Sequence, residues 1–103
     1  MDIRWTPKPE ATESLETEMA KLSKAFGHPA RVRILREALT RDACTCGQLA
    51  KALPLAQSTI SQHLKVLKDA GILEAEVSPS QAGYRLNRRT IARYRSLVAT
   101  LTN

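Results

Sequence analysis

Between Cys46 and Gly71 the chain reads CGQLAKALPLAQSTISQHLKVLKDAG, and no other stretch limits the fold as strongly. Pro54 divides it, because proline has no amide hydrogen for a helix and its ring clashes with the turn before it. Ahead of the proline, Thr45-Cys46-Gly47-Gln48 has the T-x-x-Q spacing of a capping box, with Thr45 as N-cap and Gln48 reaching back. Cys44 and Leu49 then hold the two positions of a hydrophobic staple, and Leu49, Ala52 and Leu53 face the core. Leu55 and Ala56 make the turn. Beyond it Ile60, Leu64 and Leu67 mark one face of a second helix, which stops at Gly71. The segment is thus two short amphipathic helices joined tightly. The outer side of the second carries Gln, Ser, Thr, His and Lys in place of the usual Glu/Lys mixture.

Periodicity organises the rest. From Thr12 to Phe26, Leu15, Met19, Leu22 and Phe26 share a helical face, closed by Gly27, and Pro29 suits the first turn of the next helix. There Val32, Leu35 and Leu39 form the expected buried stripe, with Ile34 and Ala38 alongside. Arg31, Arg33 and Arg36 point mostly to water. After Gly71 the period becomes two: Leu73, Ala75 and Val77 alternate with Glu74 and Glu76, and Tyr84 and Leu86 flank Arg85. Ser78-Pro79-Ser80-Gln81-Ala82-Gly83 between them is turn chemistry, so a hairpin is expected. Asn87 is a suitable N-cap for a last helix striped by Ile91, Tyr94, Val98 and Leu101. The expected fold is mainly α with a small β-hairpin, in the order helix-helix-helix-helix-hairpin-helix. Residues 1–11, with two prolines and no period, read as a flexible N-terminal arm, and residues 12–103 as one domain.

Composition narrows the function. Of 103 residues 43% are apolar but only four are aromatic, so the core is aliphatic. The net charge of +6 is unevenly spread, −3 over residues 1–19 and +9 over residues 20–103. A basic body points to a polyanionic partner, because neutralising phosphates releases counterions. No apolar run approaches a membrane span, MDIRWTPKPE lacks the apolar segment of a signal peptide, and two cysteines make no disulfide framework. A cytoplasmic protein without membrane contact is expected.

LSKAFGHPARVRILREAL, CGQLAKAL, QSTISQHLKVLKDAGIL and GYRLN, in this order and spacing, resemble the ArsR family (ArsR/SmtB type) of bacterial winged helix-turn-helix repressors. The resemblance covers roughly residues 20–100. It implies a homodimer paired through the first and last helices. It also implies binding of double-stranded operator DNA through the fourth helix and the wing, and release of DNA when an inducer, often a metal ion or arsenite, binds. Many relatives have a serine before the Gln-Ser pair as N-cap of the fourth helix. Ala56 stands there in this chain, so the helix is expected to start near Gln57 or Ser58, and base contacts at Gln57 are less secure.

The residues expected at DNA are Gln57, Ser58, Thr59, Ser61, Gln62, His63 and Lys65 on helix 57–70, with Arg85 and Arg88 on or beside the 72–87 wing. The N-terminal part of a recognition helix meets base edges in the major groove, where the Gln62 amide suits adenine. The bland alternative for these side chains is a solvated polar face. His63 borders the buried face and has a competing role as a packed histidine bonded to neighbouring backbone. Arg88 and Arg89 in a first helical turn oppose the helix dipole, which makes more sense opposite phosphates or acidic groups of a partner subunit, unless exposed arginines simply tolerate this small cost. For dimerisation the stripes Leu15, Met19 and Leu22 and Ile91, Tyr94, Val98 and Leu101 are expected to pair, unless the intramolecular core absorbs them.

Cys44 and Cys46 carry the alternative function. Thiolates are soft ligands for zinc, copper(I) or arsenite, and a helix N-terminus lowers a thiol pKa, which makes the pair a candidate metal, arsenite or redox sensor. Against it, the metal-binding cysteines of arsenic-sensing relatives would fall at Thr45 and Gly47, and a third thiolate is missing. Residues 77–103 contain no His, Cys, Asp or Glu. In the structural alternative Cys44 is the staple and Cys46 a small helix residue, and no cofactor is required. A protein-binding winged helix without specific DNA recognition is a further alternative. An enzyme is not expected, since no nucleophile–base pair, phosphate-binding glycine loop or carboxylate pair stands out.

Overall fold

The computed structural model describes residues 14–41, 43–77 and 82–102, and the arm expected over residues 1–11 lies outside them. Ser14 caps the first helix, α1 (Leu15–Phe26), by accepting the Thr17 amide at 3.1 Å. The helix therefore starts later than the Thr12 expected from periodicity. Gly27 ends it at φ −78°, so it is not a left-handed cap. α2 (Pro29–Leu39) opens with Pro29 in its first turn and with the His28 ring as N-cap. α3 (Cys46–Ala52) begins in the full capping box, Gln48 accepting the Thr45 amide at 2.9 Å and Thr45 accepting the Gln48 amide at 3.0 Å. α4 (Gln57–Asp69) follows the Pro54 turn. Its chain exit uses Gly71 at φ +76°, a conformation that side chains with a Cβ resist.

The antiparallel hairpin pairs β1 (Leu73–Val77) with β2 (Ala82–Leu86) in the register Leu73 with Leu86, Glu74 with Arg85 and Ala75 with Tyr84. Ala82 and Gly83 thus belong to the strand and not to the turn. Leu73 and Leu86 are buried at the hairpin base, whereas Ala75 is exposed. Asn87 then caps α5 (Arg88–Ala99), accepting from the amides of Arg89 and Thr90.

One aliphatic core joins these elements. Ile34, Leu49, Ile60, Leu64, Leu67, Ile72 and Leu73 are its most enclosed members. The stripe expected on α2 is corrected: Ile34, Leu35 and Ala38 are buried, while Val32 is 42% and Leu39 54% exposed. α2 packs against α1, α4 and β2 at once, and those neighbours select the face. Leu97 of α5 is a core residue outside the expected stripe.

A feature that periodicity did not indicate ties the hairpin down. Cys44 and Tyr84 exchange both backbone hydrogen bonds, each 2.8 Å, so the segment before α3 forms an isolated bridge on β2. Gly83 makes this approach feasible, because a Cβ there would lie 3.0 Å from the Cys44 carbonyl oxygen. Gly83→Ala is expected to cost about 1–3 kcal/mol, the usual range for overpacking a close contact. Thermal unfolding at fixed protein concentration measures it, and an unchanged midpoint would show that the bridge yields freely.

Candidate nucleic-acid interface

α4 is fixed by Ile60, Leu64 and Leu67, all buried, and turns the opposite arc outward. Gln57, Ser58, Ser61, Gln62 and Lys65 are exposed there, and Thr59 is half-buried at the margin. At 100° per residue Ser58, Gln62 and Lys65 lie near the centre of that arc, opposite the core stripe. Lys65 forms an exposed i,i+4 pair with Asp69 at 3.0 Å. Such a pair contributes little and leaves the lysine able to change partner.

The helix starts at Gln57, the earlier of the two expected starts, although Ala56 supplies no side-chain cap. The other four helices each have a side chain accepting a first-turn amide. Among the described helices only α4 has no side-chain cap on its first-turn amides, which favours an anion at this end.

His63 is placed more narrowly than its pattern suggested. It is half-buried, with its ring centroid 4.5 Å from that of His28 and its Nδ1 3.3 Å from Arg31 Nη1. A guanidinium only donates, so Nδ1 accepts and the neutral ring carries its proton on Nε2. The partner is therefore a side chain, not the backbone group anticipated. Arg31 itself is not simply solvated: Nε donates to the Ala25 carbonyl at 2.7 Å and Nη2 to that of Lys24 at 3.2 Å. It closes the C-terminal turn of α1 and connects that turn to α4. Burial, then the neighbouring His28 and Arg31, holds the His63 pKa below the ordinary 6.5.

On the hairpin, Arg85 lies 3.8 Å from both Glu74 and Glu76, all three exposed on one face. Arg88 is exposed at the start of α5. The structure thus groups the α4 residues on one arc and puts Arg85 and Arg88 at the wing base, while residues 78–81 of the wing turn lie outside the described residues.

A family model described as a helix-turn-helix domain matches residues 26–76. A biofilm growth-associated repressor of Agrobacterium fabrum is 39% identical over 93 residues, covering 90% of this chain and 78% of the relative. A homodimeric winged helix-turn-helix DNA-binding domain from Mycobacterium bovis, titled a possible ArsR-family transcriptional regulator, superposes with a TM-score of 0.68. It is 26% identical and the match covers 89% of each chain. The chain belongs to the ArsR family of winged helix-turn-helix transcriptional regulators. The cadmium sensor CmtR of Mycobacterium tuberculosis is 37% identical, with a TM-score of 0.63 over 73% of this chain and 76% of that one.

Within this ArsR-family fold the cysteines part company. Cys44 is 1% exposed in the same core as Leu49, as a staple residue should be. Its thiol points to the Glu37 carbonyl at 3.9 Å, and burial pushes its pKa up, against a smaller opposing effect of Arg41. Cys46 is half-exposed and its thiol donates to the Gln57 carbonyl at 3.6 Å, at the first residue of α4. Among the described residues no group of three or more His, Cys, Asp or Glu side chains could hold a metal ion.

α1 and α5 lie together, joined by a Phe26–Tyr94 stack at 4.6 Å, a Ser23–Tyr94 hydroxyl hydrogen bond of 2.9 Å and a two-pronged Arg93–Glu18 pair at 2.8 and 3.0 Å. Leu22, 6% exposed, belongs to the intramolecular core, so of the seven expected interface residues it is the one already covered. Leu15 at 53%, Val98 at 36% and Leu101 at 71% remain open, with Met19, Ile91 and Tyr94 half-buried beside them.

The lowered His63 pKa has a stability consequence. Below pH 6.5 the unfolded chain takes up a proton that the folded chain resists, so the contribution of His63 is complete above that pH and declines as pH falls toward the folded value. Denaturant unfolding between pH 7.5 and about 5.5 should show decreasing stability, flattened by His63→Gln; equal slopes for both proteins would refute the assignment.

Proposed function

We propose that the protein is a dimeric repressor whose two α4 helices enter successive major grooves of a pseudo-palindromic operator in double-stranded DNA. The observation that carries this reading is the exposed α4 arc of Ser58, Ser61, Gln62 and Lys65, adjoining a helix start with no side-chain cap. Gln62 and Ser61 read base edges, with Gln57 and Thr59 flanking them. Ser58 and the open amides of the first turn take a phosphate, and Lys65 leaves Asp69 for another. His63 contributes through its Nε2–H while Arg31 fixes its ring. Arg85 and Arg88 contact the backbone beside the wing. Leu15, Val98 and Leu101, with Met19, Ile91 and Tyr94, form the two-fold contact that spaces the reading helices, and Leu22 supports it from within. The apolar exposure of this α1–α5 face supports that role, as does the homodimeric relative.

Titration of a cognate operator tests the reading. Gln62→Ala and Ser61→Ala should each cost about 1–3 kcal/mol of operator affinity and relax discrimination at one position. Leu101→Glu should shift sedimentation to the monomer and abolish half-site cooperation. Wild-type affinity in all three variants would sink the proposal.

If a thiol-bound inducer exists, Cys46 is its point of entry. It is the more accessible thiol and rests on the first carbonyl of α4, where a metal ion, a metalloid or an oxidised sulfur would displace the reading helix. Release of operator DNA by cadmium, arsenite or peroxide should then be abolished by Cys46→Ser and preserved in Cys44→Ser. A Cys46→Ser protein that still responds excludes this route.

A further inference from the structure

The wing base contains a cleft of about 350 Å³, where Arg85 and Arg88, given backbone contacts above, meet Arg41 and Arg89, which have no role so far. It lies between the end of α2, β2 and the start of α5. Four arginines are among its lining residues, Arg41, Arg85, Arg88 and Arg89, against one acidic residue, Glu74. That carboxylate is already engaged, accepting from Asn87 Nδ2 at 3.1 Å and lying 3.8 Å from Arg85. Arg85 is further balanced by Glu76. The guanidinium groups of Arg41, Arg88 and Arg89 make no hydrogen bond or ion pair with any other described residue. Like charges gathered around one concavity repel one another, and an anion placed among them removes that repulsion.

We propose that this cleft is a phosphate-binding site, in which Arg41, Arg88 and Arg89 hold a phosphate or pyrophosphate group. Guanidinium is the side chain best matched to it, because its planar fork donates two parallel hydrogen bonds to a pair of phosphate oxygens. The volume is within the range of small-ligand sites. The site depends on side chains and not on the helix end, since Asn87 already occupies the amides of Arg89 and Thr90. Its position gives it a lever on the DNA-binding surface. Asn87 donates its amide to the Ile72 carbonyl at 2.8 Å at the root of the hairpin, so the cleft floor is the junction of the wing with α5. The phosphate could arrive on a free small molecule or as part of the DNA backbone.

Calorimetric titration of the full chain with inorganic pyrophosphate, alongside operator titrations at several salt concentrations, tests the site and separates the two sources. For a free ligand, pyrophosphate binds the wild type and binds Arg41→Ala/Arg88→Ala weaker by about tenfold or more. Arg95→Ala, which removes one α5 charge outside the cleft, leaves it unchanged. For a backbone contact, pyrophosphate does not bind, but the double variant loses operator affinity evenly across sequences and its salt slope falls by about one per lost contact. Either result supports a phosphate site. Pyrophosphate binding equal in wild type and variant, or no pyrophosphate binding together with unchanged operator affinity and salt slope, overturns it. The pyrophosphate arm does not depend on the operator reading, so the two can fail separately.

Discussion

The burial of three α4 side chains, Ile60, Leu64 and Leu67, is the constraint on which the rest of the molecule depends. Each contributes roughly 1.5–3 kcal/mol relative to exposure. The absence of an N-cap costs about 0.5–2 kcal/mol, so packing outweighs it and the helix keeps its first turn without a local acceptor. This balance leaves a helix end open toward solvent while its axis stays fixed. The outward arc is then free of structural duty, and its residues can be chosen for hydrogen bonding alone.

Much of this was legible locally. The Thr45–Gln48 box, the Pro54 break, the α4 stripe and the Gly71 exit all follow from a few neighbouring residues, and the structure has each of them. The errors arise where distant residues decide. α2 presents two overlapping apolar faces, Val32-Leu35-Leu39 and Ile34-Leu35-Ala38, which local periodicity cannot rank. Contact with α1, α4 and β2 selects the second. Arg31 looked solvated because its acceptors, the carbonyls of Lys24 and Ala25, belong to another helix. The unpaired arginines at the wing base were readable only singly, as charges awkward for a first helical turn. That they line one cleft with Arg41 depends on the turn after α2 lying beside β2.

Charge is sorted by location. Arg31, Arg85 and Arg93 are held by carbonyls or carboxylates of neighbouring elements and take part in holding α1, the hairpin and α5 together. The exposed arc of α4 instead presents the neutral groups of Gln62, Ser61 and Ser58, together with Lys65. This separation lets the exposed face of α4 be altered by substitution without disturbing the ionic contacts of the hairpin and the α1–α5 pair.

The Cys44–Tyr84 bridge has a consequence for solubility. A two-stranded ribbon has two edges, each with a row of unpaired amides and carbonyls that can recruit a strand from another molecule. In this fold the preceding segment occupies β2 at Tyr84, and the narrow space over Gly83 admits little else. The same contact pins the register, since a slip by one residue would exchange the buried and exposed faces of the hairpin and offer the bridge a different partner. A short wing that must project from the domain is thereby protected at its root against strand exchange between neighbouring molecules.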